Sequence, residues 1–236
     1  MREPRAIGAA RRAPVVLAFD TAASSCSIAV GCGNAVLAHE RREMRHGHAE
    51  ALLPMIDRAI AAASLTPAEI GIVAVSVGPG GFTGIRAGLA AARGLALATR
   101  AQLVGVSSFM TVAALVAASD DAILVALDSR RTDFYMQIFT GGGEPLVPPA
   151  AILSDEVSNY VAAAIGDAKL RIAGDAADRA ATACIGRNNV TIVAESAPDA
   201  LGVLVAARRQ TFDAPAHPLY LRPPDVSFPK ARGAPA

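Results

Sequence analysis

Two stretches of the chain, Leu17–Asp20 (LAFD) and Val125–Asp128 (VALD), each end an unbroken apolar run on an aspartate and lead through a short polar turn into a second apolar run. A continuous apolar run of strand length reads as a strand buried on both faces. The first copy comprises Val15–Phe19, the turn Thr21-Ala22-Ala23-Ser24-Ser25, a run from Cys26 to Val30, the turn Gly31-Cys32-Gly33-Asn34 and a run from Ala35 to Ala38. The second comprises Ala122–Leu127, the turn Ser129-Arg130-Arg131-Thr132-Asp133 and an alternating run from Phe134 to Phe139. The repetition predicts an α/β chain built from two duplicated half-domains, each a βββ meander followed by an αβα series. The expected bounds are 15–118 and 119–222, with a basic extension (1–14) and a proline-rich tail (223–236) expected to be disordered.

Between these markers the periodicity changes to that of helices. Leu52, Leu53, Ile56 and Ile60 predict a helix over about 48–63, with Pro54 kinking it or lying in its first turn. Ile72–Val77 reads as a buried strand, Gly78–Gly84 (GPGGFTG) as a loop and Gly84–Thr99 as a helix. Arg86 and Arg93 interrupt that helix and Arg100 closes it, so it is not a membrane span. A strand at Leu103–Val106 and a helix at 108–118 complete the first half. The second half continues with helices near 154–164 and 198–209 and strands at 170–173 and 190–194.

Composition removes several classes of function. Lys+Arg 22 against Asp+Glu 21 leaves a net charge of +1, so no global field draws the chain to nucleic acid. Trp is absent and aromatics are 4%, which argues against a base-stacking platform. Cys26, Cys32 and Cys184 match neither a disulfide framework nor a zinc spacing. The N-terminus, MREPRAIGAARRAP, has no apolar core of a secretory signal.

The loop Gly78–Gly84, standing between a strand and a helix, has two readings. Free N–H groups of Gly80 and Gly81 with the Thr83 hydroxyl could hold an anion. Equally, the glycines could supply a tight turn that lets the helix pack closely. It is not a P-loop, since Gly84 is followed by Ile85 and Arg86 rather than Lys-Ser/Thr. His46, His48 and Glu50 are not at metal-ligand spacing, and no Ser-His-Asp or Cys-His set is discernible, so neither a catalytic nor a metal residue is assigned. Gly84, Ala87, Gly88, Ala91 and Gly94 give the second helix a small-residue face, beside the apolar Leu52, Met55, Ile56 and Ile60 of the first. The chain either buries these faces itself or offers them as a docking surface for another helix pair. Arg86, Arg93 and Arg100 lie in a stretch, 70–119, without a single acid, and an acidic group on an assembly partner is expected to meet Arg86 and Arg93.

Taken in order, LAFDTAASSCSIAV, HAEALLPMIDRAI, GPGGFTGIRAGLAAARGLAL, VGVSSF, LVALDSRRTDFY and PLYLR resemble the bacterial TsaB (YeaZ) proteins of the tRNA threonylcarbamoyladenosine pathway. The resemblance is strong over residues 15–139 and thin over 140–215. It implies the actin-like/hexokinase (ASKHA) fold, two duplicated α/β half-domains. It also implies a cytoplasmic, non-catalytic scaffold that dimerises with a TsaD-like paralogue holding the active site, is joined by a TsaE-like ATPase, reaches tRNA through that complex and forms homodimers when the partner is absent. The docking helices carried over are 48–60 and 83–95, that is His48, Leu52, Met55, Ile56, Ile60, Thr83, Gly84, Arg86, Ala87, Gly88, Ala91, Gly94 and Leu95. Gly81 stands where Ser is common and Thr132 where Gly is common. The hairpins after Asp20 and Asp128 lack the glycines that nucleotide-binding members of the superfamily use, and only a lone Gly174 precedes the later helix, so no cofactor is expected on this chain. The alternative is an autonomous ASKHA-type kinase or glycoprotease-like hydrolase.

Overall fold

A computed structural model describes residues 13–194, 196–209 and 216–222. The expected disordered extension and tail fall outside these residues, apart from Ala13 and Pro14. The first half contains β1 (Val15–Asp20), β2 (Ser25–Cys32), β3 (Ala35–Glu43), α1 (His48–Ala62), β4 (Ile70–Ser76), α2 (Phe82–Thr99), β5 (Gln102–Val106) and α3 (Ser108–Val116). The second contains β6 (Ala122–Asp128), β7 (Asp133–Phe139), β8 (Ala150–Leu153), α4 (Val157–Ile165), β9 (Leu170–Ala173), α5 (Ala177–Ala183), β10 (Val190–Ile192) and α6 (Ala200–Arg209). One five-stranded sheet runs β3-β2-β1-β4-β5 and the other β10-β9-β6-β7-β8. Reversed, the second order matches the first strand for strand. In each, the opening hairpins pair antiparallel and the later strands parallel.

The two apolar runs are central strands covered on both faces. Leu17 and Phe19 face one core with α1 and α2, while Val16 and Ala18 face another. In β6, Leu124 and Ala126 lie against α4 and α5, while Ile123, Val125 and Leu127 point the other way. The inner faces are covered by exchange. From the first half, α3 sets Phe109, Val112, Ala113 and Val116 on the second sheet. From the second half, α6 sets Ala200, Val203, Leu204 and Ala207 on the first.

The helical and strand expectations shift at their edges. β3 runs on to Glu43 because its polar end is fastened from elsewhere: His39 Nε2 and Arg41 Nη1 meet the Asp199 carboxylate at 2.9 and 3.2 Å, and Arg58 pairs with Glu40 at 2.6 Å. Pro54 lies inside α1, beyond its first turn. α2 begins at Phe82, so Thr83 and Gly84 belong to its first turn rather than to the loop.

Candidate functional site

Topological equivalence brings the two post-aspartate hairpins face to face. Thr21–Ser24 and Ser129–Thr132, with the loop before α2, enclose a cleft of about 200 Å³ lined by Ala22, Ala23, Gly81, Asp128, Arg130 and Tyr135 among others. The two aspartates have diverged. Asp20 is fully buried, and its Oδ1 accepts from the Ala22 and Ala23 N–H groups, both at 3.2 Å. Burial holds its carboxyl above the usual range, with the Ser76 hydroxyl and those amides acting in the opposite direction. Asp128 is exposed; its Oδ1 accepts from Arg130 N at 2.9 Å and Arg179 Nη1 at 3.0 Å. Asp175, whose carboxyl is also raised chiefly by burial, accepts from Asp128 N at 2.9 Å.

The resemblance read from the sequence raises the question of a nucleotide at this cleft, and the hairpin amides test whether one fits. A triphosphate would need free N–H groups at these turns. Those of Ala22 and Ala23 are taken by Asp20, that of Arg130 by Asp128, that of Arg131 by Ser129 Oγ at 3.2 Å, and that of Gly81 by Ala22 O at 2.8 Å. The residues present do not fit a triphosphate.

The glycines of the loop and of α2 face this chain's own hairpin. A Cβ on Gly80 would lie 2.3 Å from Ala22 O, one on Gly84 1.9 Å from Thr21 O, and one on Gly88 2.4 Å from Thr21 Oγ1. Thr21 Oγ1 also donates to Gly84 O at 2.8 Å. The close-packing reading of the glycines is therefore realised within the chain, where Gly84 and Gly88 are turned toward Thr21. Of the anion candidates, Thr83 is exposed, Gly80 is backed by Ala22, and Gly81 has its N–H committed.

The docking-face assignment needs a further correction. Leu52, Met55, Ile56 and Ile60 are buried against β1, β2 and β4, because the apolar stripe of an amphipathic helix at a sheet edge satisfies itself on the nearest core. In the folded chain their side chains are covered. Each helix exposes a different leucine: Leu53, 51% exposed, on α1 and Leu97, 84% exposed, on α2. Thr83, Arg86 and Gly94 are exposed, and His48, Ala87, Ala91 and Leu95 are half-buried. Leu53 and Leu97 were missed because the sequence does not reveal which side of each helix faces the sheet.

Arg86 and Arg93 have partners within the chain. Arg86 lies 3.8 Å above the Phe82 ring and donates through Nε to Tyr220 Oη at 3.2 Å, while Arg93 Nη2 donates to Ala216 O at 3.0 Å. Both hold the segment 216–222 on α2. The thiol of Cys26 is pushed up to about 11, chiefly by burial, and that of Cys184 is raised for the same reason. His46, His48 and Glu50 line a groove of about 370 Å³ with Arg45 and Arg130, and among the described residues no His/Cys/Asp/Glu group has metal-site geometry. No helix of the described residues is long and apolar enough to cross a membrane.

Comparison with known proteins locates this arrangement. The Thermus thermophilus ROK hexokinase superposes with a TM-score of 0.51 over 82% of this chain and 97% of that one, at 14% identity, which shows the actin-like/hexokinase fold alone. A Pseudomonas aeruginosa protein described as similar to peptidase YeaZ superposes far better, with a TM-score of 0.75, 25% identity, and 89% and 100% coverage. Escherichia coli TsaB, a tRNA threonylcarbamoyladenosine biosynthesis protein, is 35% identical over 122 residues, 51% of this chain and about half (52%) of that protein's length. The family model "TsaD: tRNA N6-adenosine threonylcarbamoyltransferase" matches residues 38–167, a span that takes in the helix pair, β4 to β8 and the Ser129–Thr132 hairpin. With the fold, the helix pair and these matches in agreement, the chain belongs to the TsaB (YeaZ) family.

Proposed function

We propose that the chain works in tRNA threonylcarbamoyladenosine biosynthesis as a non-catalytic scaffold in the cytoplasm, docking a TsaD-like paralogue through the outer side of α1 and α2. A TsaE-like ATPase joins that pair, tRNA is engaged through the complex, and the same surface makes homodimers when the paralogue is absent. The observation that carries the reading is that each helix of the pair exposes a leucine, Leu53 on α1 and Leu97 on α2, with the small side chains of Ala87 and Ala91 and the open backbone at Gly94 also on α2, inside the segment that the family model matches. Two exposed leucines on adjoining long helices are what a partner helix pair would cover. His48, Thr83, Arg86 and Leu95 flank this surface.

The test is titration calorimetry against the TsaD-like paralogue. Leu53→Asp and Ala87→Glu should each weaken binding by roughly a hundredfold, since an interface that buries an unpaired charge loses several kcal/mol, while the melting temperature stays near that of the parent. Unchanged affinity in both variants overturns the docking surface. With ATP, threonine, bicarbonate and tRNA but no partner, the chain should leave adenosine unmodified, and threonylcarbamoyl-nucleoside found by mass spectrometry would overturn the scaffold role.

A further inference from the structure

The segment Leu219–Arg222 is attached to both walls of the cleft. On the first wall, Leu219 N donates to Val77 O at 2.8 Å and the Leu219 side chain joins the first core. Tyr220 stacks on Phe82 with ring centroids 5.5 Å apart, and its hydroxyl accepts from Arg86. On the second wall, Leu221 packs with the core that holds Phe109, Leu127 and Phe139. Arg222 pairs with the buried Asp133 carboxylate, and its guanidinium lies 5.8 Å from the Tyr135 ring centroid. Asp133 also accepts from Ser129 Oγ at 2.6 Å, and Ser129 Oγ in turn accepts from Arg131 N at 3.2 Å, so the Arg222 anchor continues into the hairpin that carries Arg130. Phe82 and Tyr135, one under each end of the segment, both line the cleft.

We propose that Leu219–Arg222 is a strap that ties the two hairpin walls together across the cleft and limits how far they separate. Four consecutive residues reach at most about 10–14 Å. While Leu219 and Tyr220 hold one end and Arg222 the other, the walls cannot part beyond that reach; release of either end frees both. The exchanged helices α3 and α6 join the halves at the inner faces of the sheets, which leaves the cleft walls, each moving as a unit with its hairpin, as the parts able to separate. A charge pair anchored on a fully desolvated carboxylate is costly to break, so the closed arrangement is the resting one.

Spin labels on opposite walls read this directly. In the full chain with Cys32→Ser, Ser24→Cys and Thr132→Cys labels on the two hairpins should give one narrow distance distribution by double electron–electron resonance. Leu219→Ala with Tyr220→Ala removes the side chains that make the first anchor. Arg222→Ala with Asp133→Asn releases the second without leaving a buried charge unpaired. Each should shift the distribution to longer distances and broaden it, with circular dichroism and melting confirming that the variant is folded. A folded variant of either kind that keeps the parental distribution overturns the strap, and if Arg222→Ala alone fails to fold, the other two still decide.

Discussion

The two halves share one topology but not one build. In the first, the outer helices α1 and α2 have 15 and 18 residues, whereas their counterparts α4 and α5 have 9 and 7. β8, β9 and β10 are likewise cut to 4, 4 and 3 residues. Even so, the second half keeps Val157, Val161, Leu170 and Ile172 fully packed, so the shorter elements are enough to close a core. The added length of the first half is spent outside its core, where Leu53 and Leu97 stand in solvent. The strand-end aspartates differ in the same sense. Asp20 is sealed under its hairpin, and Asp128 is open and paired with Arg179. The duplication preserved the framework and let one copy become surface and the other become support.

Core truncation in each half is the severest way to probe this. Ile56→Ala and Ile172→Ala should each cost about 2–5 kcal/mol; because α3 and α6 interlock the sheets, both variants should melt in one transition. A two-step calorimetric melt for Ile172→Ala would show the halves to be separable. Within α2, Gly84→Ala should lose about 1–3 kcal/mol by forcing a methyl onto Thr21 O. Gly94→Ala, with open space around it, should gain up to about 1 kcal/mol from helix propensity. Opposite shifts in melting temperature are the expected pair.

The aspartates are set apart by pH. Asp20 binds its proton more tightly folded than unfolded, so its contribution is complete in acid and is lost as pH rises from the usual carboxylate range through its raised folded value. Asp20→Asn should therefore flatten the decline of stability with rising pH, leaving the part due to Asp175, which burial raises too. Urea midpoints measured from pH 4 upward would show it, and an unchanged slope would contradict the sealed carboxyl. The smallest effect is expected at the open site, where Arg179→Ala removes a half-exposed pair with Asp128 and should change stability by about 0–1 kcal/mol.

How much of this was legible beforehand depended on where the deciding contacts lie. β1 and β6 could be read because strands covered on both faces are continuous apolar runs, β2 and β7 because an apolar-rich run follows each across a short polar turn, and the repeat of the Asp-terminated run pointed to the duplication. The end of β3 could not be read, since what fastens it, Asp199, lies 160 positions from His39. β8, in a stretch with Pro145, Pro148 and Pro149, lacked a strand signal and is held by pairing with β7. The anchoring of Arg86 and Arg93 was hidden for the same reason, with partners 134 and 123 positions away. The helix pair was located correctly as a pair of amphipathic elements, but an apolar stripe names no recipient, and here the recipient of Leu52, Met55, Ile56 and Ile60 is the chain's own sheet.

The exchange of α3 and α6 bears on how such a chain comes off the ribosome. Synthesis delivers all five strands of the first sheet by Val106, yet the helix that shields the inner side, with Val16, Ala18, Ala29, Ala74 and Val104, is not made until Ala200–Arg209. For the intervening hundred or so residues, at about 5–20 residues per second, a nascent first half displays an oily flank. Meanwhile α3 waits with Phe109 and Val112 for a sheet that does not yet exist. Such a polypeptide acquires its native state only once α6 has been made, and a message truncated before Ala200 yields a product for chaperones and proteases rather than a smaller working protein.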